Sequence, residues 1–267
     1  CPKAIIGDTD ILRQAPKRML LAGIGDMLAK YISICEWRIS HLITGEYYCE
    51  TIASMVRSAL SKCVRCADGL LNRDEDAVAA VFEGLIVGGV AMSYAGISRP
   101  ASGVEHYFSH IWDMRGLEFG TATDLHGIQC AVATLIAVRL YEQVQQIIPD
   151  REAALFSAAS FNYEEWSLHL KNFLGKGALT MIELEQKEHK YSPELHATRL
   201  AIILEKWEEI LSIVREEIPS SQDLEALFVK MGIPRSVPEL GIDPDTLPMT
   251  FMATKDIRDK YLEPPYT

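Results

Sequence analysis

Hydrophobic positions recur every three to four residues along most of this chain, with little period-two alternation, and that spacing predicts helices rather than strands. After a short extended or strand-like lead around Ala4 to Ile6, Pro16 suits the first turn of a helix through "KRMLLA". The "GIG" at 23–25 is expected to interrupt that helix, leaving Asp26 at the first turn of another through "DMLAKYISICEWRISHLI". Further helices are predicted at about 50–71, 75–96, 102–115, 126–148, 163–174, 176–188, 193–217 and 221–231. Ser192 before Pro193 and Ser221 before "QDLE" supply N-cap signals. The proline-punctuated tail from Gly232 predicts two short helices packed on the body. No internal repeat, low-complexity tract or linker divides the chain, so the expected architecture is one all-α domain over residues 1–267.

The most apolar run, "AVAAVFEGLIVGGVAMSYAGI" at 77–97, has the length of a membrane span. Glu83, the glycines within the run and the acidic "NRDED" ahead of it favour a buried central helix and no span. A formal net charge of −11 and a pI near 5.1 argue against nucleic acid or anionic membrane surfaces as partners, because no basic field offsets phosphate repulsion. An anionic substrate would need a local cluster of basic groups and dipoles. The six cysteines are scattered through helical text and read as reduced thiols of a cytoplasmic protein.

Candidate chemistry concentrates in "SGVEHYFSH", residues 102–110. Ser102 and Glu105 have capping-box spacing, which predicts a helix starting at Ser102 with His106 and His110 a turn apart on one face. "DLHG" adds His126 near the start of the next long helix. A catalytic divalent metal takes about three protein ligands, mixing imidazole with carboxylate, and keeps a position open. His106, His126 and one acid would suffice. Asp26 in "AGIGD" is the acid of choice, because its glycines let backbones pack closely. Two histidines four apart are, taken alone, more often surface or capping residues than ligands.

Other motifs are set aside on spacing. "GIG" is no dinucleotide fingerprint, since Leu28 stands where GxGxxG requires glycine or alanine and Asp26 would oppose a pyrophosphate. "CVRC" at 63–66 has no second pair, and "GKGALT" at 175–180 lacks the phosphate-loop pattern and reads as a helix–helix turn. No G-x-S-x-G elbow is present. His41, His169, His189 and His196 have no ligand-like surroundings.

Three stretches, "APKRMLLAGIGDMLAKYISICEW", "GISRPASGVEHYFSH" and "DLHGIQCAVATLIA", closely resemble the C-terminal metal-binding domain of sn-glycerol-1-phosphate dehydrogenases of the bacterial AraM type. That family belongs with glycerol dehydrogenase, iron-containing alcohol dehydrogenases and dehydroquinate synthase. The tail stretches "MGIPRSVPELGID" and "IRDKY" also look like this family, so the likeness covers essentially the whole chain. The resemblance implies the multi-helix C-terminal domain of the dehydroquinate synthase-like fold, with Asp26, His106 and His126 binding one zinc, nickel or iron ion. It implies reversible NAD- or NADP-dependent reduction of dihydroxyacetone phosphate to sn-glycerol 1-phosphate. His110 would lie near the reacting centre, as a proton relay, a substrate contact or a residue orienting a ligand.

For the substrate phosphate, Ser98 and Arg99 precede a helix N-terminus and Lys30 lies one turn beyond Asp26. The alternative is that Arg99 and Lys30 pair with neighbouring acids. Family members carry an α/β nucleotide-binding domain ahead of this one, and the sequence contains none of it. Nicotinamide contacts are therefore expected mostly from residues outside the chain. The start at "CPKAII" without Met reads as a fragment, a separate domain or a truncated gene product. A homo-oligomer is a further expectation. Two other functions stay open: a metal-dependent phosphohydrolase, which an adjacent His-Asp pair would favour, and a non-catalytic helical domain that keeps a metal site.

Overall fold

The computed structural model describes residues 2–257, and no strand occurs among them. The lead at Ala4 to Ile6 is irregular, and the first helix, α1 (Thr9–Leu12), is capped by Asp8, whose carboxylate accepts from the Asp10 and Ile11 N–H groups. Then come α2 (Lys17–Leu28), α3 (Lys30–Thr44), α4 (Glu50–Arg65), α5 (Ala67–Leu71) and α6 (Glu75–Ala95). The central pair is α7 (Val104–Phe119) and α8 (His126–Val144). Next are α9 (Arg151–Ala159), α10 (Tyr163–Leu174), α11 (Gly177–Glu188), α12 (Pro193–Glu205), α13 (Trp207–Glu217) and α14 (Ser221–Met231). Two 3-10 turns, Pro238–Leu240 and Pro244–Thr246, lead into α15 (Leu247–Thr254). The chain is all-α, as the spacing predicts.

Several boundaries differ from the sequence expectation. "GIG" does not interrupt its helix: α2 runs through it, and the break falls at Ala29, so Asp26 sits in the last turn of α2. Tight packing of Gly25 on α8 and of Gly23 on Val81 of α6 offsets the helix penalty of the two glycines. The helix expected from Ser102 starts at Val104 with Gly103 as N-cap, because Glu105 accepts from the Gly103 N–H at 2.8 Å and no Ser102 hydroxyl caps the end. Ser220, not Ser221, caps α14; the Ser221 N–H and hydroxyl both donate to Glu142. The 50–71 and 193–217 helices each divide, at Cys66 and Lys206, and α9 occupies a stretch for which no helix is predicted. In the tail, "IRDKY" lies outside the described residues from Arg258 onward.

The main core joins α2, α7 and α8 with α4, α6 and α14 through Met27, Leu28, Phe108, Val132, Leu135 and Phe228, all fully buried. The expectation of a buried central helix at 77–97 holds for one face only. In α6 the small residues Ala77, Ala80, Gly84, Gly88 and Ala91 form a strip that packs on α4 and α2, while Val90 and Tyr94 face outward. Only 39% of its most apolar window is buried, and by length and composition it could cross a membrane. Its strip of small side chains explains the one-sidedness, since these let the helices approach along one line only.

Candidate metal centre

The centre begins with two glycines. A Cβ built on Gly25 would clash with the Gly127 carbonyl oxygen, and one built on Gly127 would clash with the Ala22 carbonyl. Without side chains at these positions α2 and α8 cross backbone to backbone, and the neighbouring residues Asp26 and His126 are brought together. Asp26 Oδ1 lies 4.0 Å from His126 Nε2. From α7, His106 places its Nε2 3.2 Å from the same Asp26 oxygen, and the two imidazole centroids are 5.1 Å apart.

Each imidazole is held from behind. The fully buried Glu105 carboxylate accepts from His106 Nδ1–H at 2.7 Å, so the Nε2 edge is the one turned to Asp26 and His126. Burial lowers the His106 pKa, but the hydrogen bonds to Asp26 and Glu105 outweigh it and raise the value overall. A position between two carboxylates favours a cation there, whether a proton or a metal ion. His126 Nδ1 lies 2.8 Å from Ser109 Oγ, which accepts from Gln129 Nε2 at 2.9 Å. Gln129 Nε2 also donates to Asp113 at 2.8 Å. Burial and the neighbouring His106 push the His126 imidazole down, toward the neutral form that binds metals.

Lys30, only 2% exposed, donates to Asp26 Oδ2 at 3.1 Å and to the Ala101 carbonyl at 3.0 Å. Burial alone would raise the Asp26 pKa, but the Lys30 ammonium and His106 hold it well below the usual carboxylate range. The carboxylate therefore stays anionic, with Oδ1 left for the cluster. Cys130, one turn beyond His126 on α8, completes a set in which donor atoms of Asp26, His106, His126 and Cys130 all lie within 4.8 Å of one another. Donors sharing one tetrahedral ion sit about 3.3–3.6 Å apart, given bonds of about 2.0–2.3 Å; the Asp26–His106 separation of 3.2 Å is close to that and the Asp26–His126 separation of 4.0 Å is wider. His110, Asp113 and His126 form an outer group of the same span, with the His110 and His126 rings stacked at 5.6 Å.

The structure thus gathers Asp26, His106, His126, His110 and Lys30. It places Arg99 differently. That guanidinium is fully buried and donates to Glu46 at 2.8 to 3.1 Å and to Ser40 at 3.0 Å, so its hydrogen bonds brace the loop ahead of α7. The expected fork for a substrate phosphate is engaged by an acid instead. Ser98 is half-buried in that loop, its carbonyl accepting from Ala101 N–H at 3.1 Å. Sequence reasoning assigns Glu105 only a capping role and misses Ser109, Asp113, Gln129 and Cys130. Helical spacing carries the signal for two of them, since Ser109 stands three residues after His106 and Cys130 four after His126.

Fold and cluster together define an all-helical domain with a candidate metal centre built from three helices. No family model matches the chain. It is a homologue of glycerol-1-phosphate dehydrogenases whose names specify NAD(P)+. With the enzyme of Geobacillus thermodenitrificans it is 32% identical over 243 residues, 91% of this chain and 51% of the relative. Shorter matches are stronger: 40% over 141 residues with Halalkalibacterium halodurans, and 41% over 140 residues with Thermococcus sibiricus. These cover 53% and 52% of the chain and 35% and 39% of the relatives, respectively. The chain spans about half the length of these relatives or less.

Proposed function

We propose that the chain forms the metal- and substrate-binding part of a cytoplasmic glycerol-1-phosphate dehydrogenase, reversibly reducing dihydroxyacetone phosphate to sn-glycerol 1-phosphate with NADH or NADPH. The observation that carries the reading is the Asp26–His106–His126 cluster, with Glu105 behind one imidazole and Ser109 behind the other. The named homologues support the reaction class. A zinc, nickel or iron ion bound there would supply Lewis-acid polarisation of the substrate carbonyl.

The chain's own residues have distinct parts. Lys30 keeps Asp26 ionised, and Glu105 and Ser109 fix the ring orientations. Reduction adds a hydride from the nicotinamide to the carbonyl carbon and a proton to its oxygen. His110, part-exposed beside His126, is assigned to that proton. Ser98 is assigned to the phosphate, while Arg99 shapes the loop that carries it. The dinucleotide falls to the part of such a protein that this chain does not span.

Metal analysis of the purified chain beside Asp26→Ala and His106→Ala tests the centre. About one equivalent of zinc, nickel or iron in the parent, lost in both variants, is the expected result. Dihydroxyacetone phosphate reduction by the longer protein then tests the reaction. A parent chain that takes up no metal on reconstitution would overturn the reading.

A further inference from the structure

A cavity of about 300 Å³ lies between α8, α9, α12 and α13 and shares no lining residue with the donor cluster. Its lining passes from Glu36, Val104 and Ala137, all buried, to the exposed Ile148, Asp150 and Ser157, so the cavity opens to solvent at one end. Between the ends the walls are apolar, and the Leu140, Val144, Ile203 and Trp207 side chains there are only half-buried. The outer wall is thin. α9 buries none of its residues and α12 only Leu200. A guest seated against α8 would remove from water the apolar surface that these helices leave half-covered.

We propose that this cavity binds a neutral aliphatic molecule carrying one hydrogen-bond acceptor, such as an alcohol, with the acceptor at Glu36 and the chain between α8, α9 and α12. At the buried end Glu36 Oε2 accepts from Val104 N–H at 3.0 Å and Oε1 accepts from the Tyr141 hydroxyl at 3.3 Å. Burial, then the neighbouring Glu105, pushes the Glu36 carboxyl up to about 8, so it carries a proton at neutral pH. In both bonds Glu36 is the acceptor. Its own O–H is a donor that neither bond uses, placed at the end of an apolar cavity.

The other polar groups decide the charge of the guest. Among the described residues no lysine or arginine lines the cavity, and burial pushes the His196 imidazole down, toward its neutral form. A carboxylate guest would therefore give up its hydration for no cation, with Glu36 and Glu105 ahead of it. An ammonium guest would meet a carboxyl that holds its proton. Asp150 stands at the open end, where its carboxylate caps α9 by accepting from Ala153 N–H at 3.0 Å. A neutral guest keeps all of these groups in the states the fold gives them.

Isothermal titration calorimetry of the whole chain with n-octanol, octanoate and octylammonium at about pH 7 is the test. Octanol should bind saturably with one equivalent, and the two ions about tenfold more weakly or worse. Ala154→Phe fills the cavity from the half-buried side of α9 and should weaken octanol binding about tenfold or more, with the helices still folded by circular dichroism. Glu36→Gln keeps a donor and should bind octanol within about threefold of the parent, whereas Glu36→Met should lose about tenfold. Ala154→Phe leaves Glu36 and its partners intact, so it decides the site even where Glu36→Met fails to fold. No saturable octanol binding by the parent, or binding that survives Ala154→Phe unchanged, would overturn the site. Tighter binding of octanoate or octylammonium than of octanol would overturn the neutral guest.

Discussion

Two regions of this helical body are built on different terms. The donor cluster lies where backbones touch, at Gly25 and Gly127, and its geometry is set by carbonyl contacts that no side-chain rotation relieves. The apolar cavity of about 300 Å³ lies between α8, α9, α12 and α13 and is lined mainly by ends of apolar side chains, among them Leu140, Val144, Leu200, Ile203 and Trp207. Side-chain ends repack and backbones do not, so the cluster tolerates little and the cavity much.

Cluster and cavity are joined by a pair of buried carboxylates. Glu36 borders the apolar cavity and accepts from Val104 N–H at 3.0 Å; Glu105 accepts from Gly103 N–H and holds His106. Both draw on the free N–H groups and dipole at the start of α7. Burial, then the neighbouring Glu105, pushes the Glu36 carboxyl far above the usual carboxylate range. One acid of the pair accepts from His106 and serves the cluster. The other is kept neutral on the cavity side.

The contrast is most exposed to test at Gly127. Replacing it with alanine should destabilise the chain by about 3 kcal/mol or more and abolish metal uptake, because the added carbon meets backbone. Denaturant unfolding measures this, and a loss below about 1 kcal/mol would remove the backbone contact as the origin of the site. Next in size, Glu105→Gln should weaken zinc binding roughly 10- to 100-fold in a competition titration while the helices stay folded.

Glu36→Gln tests the join between cluster and cavity through pH. Unfolded, Glu36 titrates near its ordinary value of 4.5, whereas the fold keeps its proton to higher pH. Wild-type stability therefore falls as pH rises from the unfolded value through the folded one, and the glutamine variant escapes that loss. Its advantage should be absent at about pH 4 and reach the order of 1 kcal/mol by about pH 7, read from unfolding curves across pH. The smallest effect is expected in the cavity. Ala154→Leu, on a lining residue of α9, should shift stability by less than about 1 kcal/mol and leave metal uptake unchanged.

Much of this was legible along the chain. Apolar spacing locates α6, α7, α8, α10, α11 and α14 to within a few residues at most of their ends, and residue type and local setting single out the acid and histidines that the fold brings together. The course of α2 through "GIG" was not legible, since glycine reads as a breaker until the helix packed on it is known. Nor was the pairing of Arg99 with Glu46, 53 positions away. Spacing puts Cys130 one turn from His126, but that the pair faces Asp26 and His106 was not legible.

Helicity and the candidate donors are written locally along the chain: one follows from a period near 3.6 residues, the other from side-chain chemistry. Tertiary structure alone decided that Asp26, at the end of α2, meets histidines some 80 to 100 positions further on, and which carboxylate stands behind His106. It also decided that Arg99 faces an acid and Cys130 the donors. The meeting of Asp26 with His126 depends on how closely α2 and α8 cross. That distance is set by Gly25 and Gly127 acting together, and neither glycine reveals it alone.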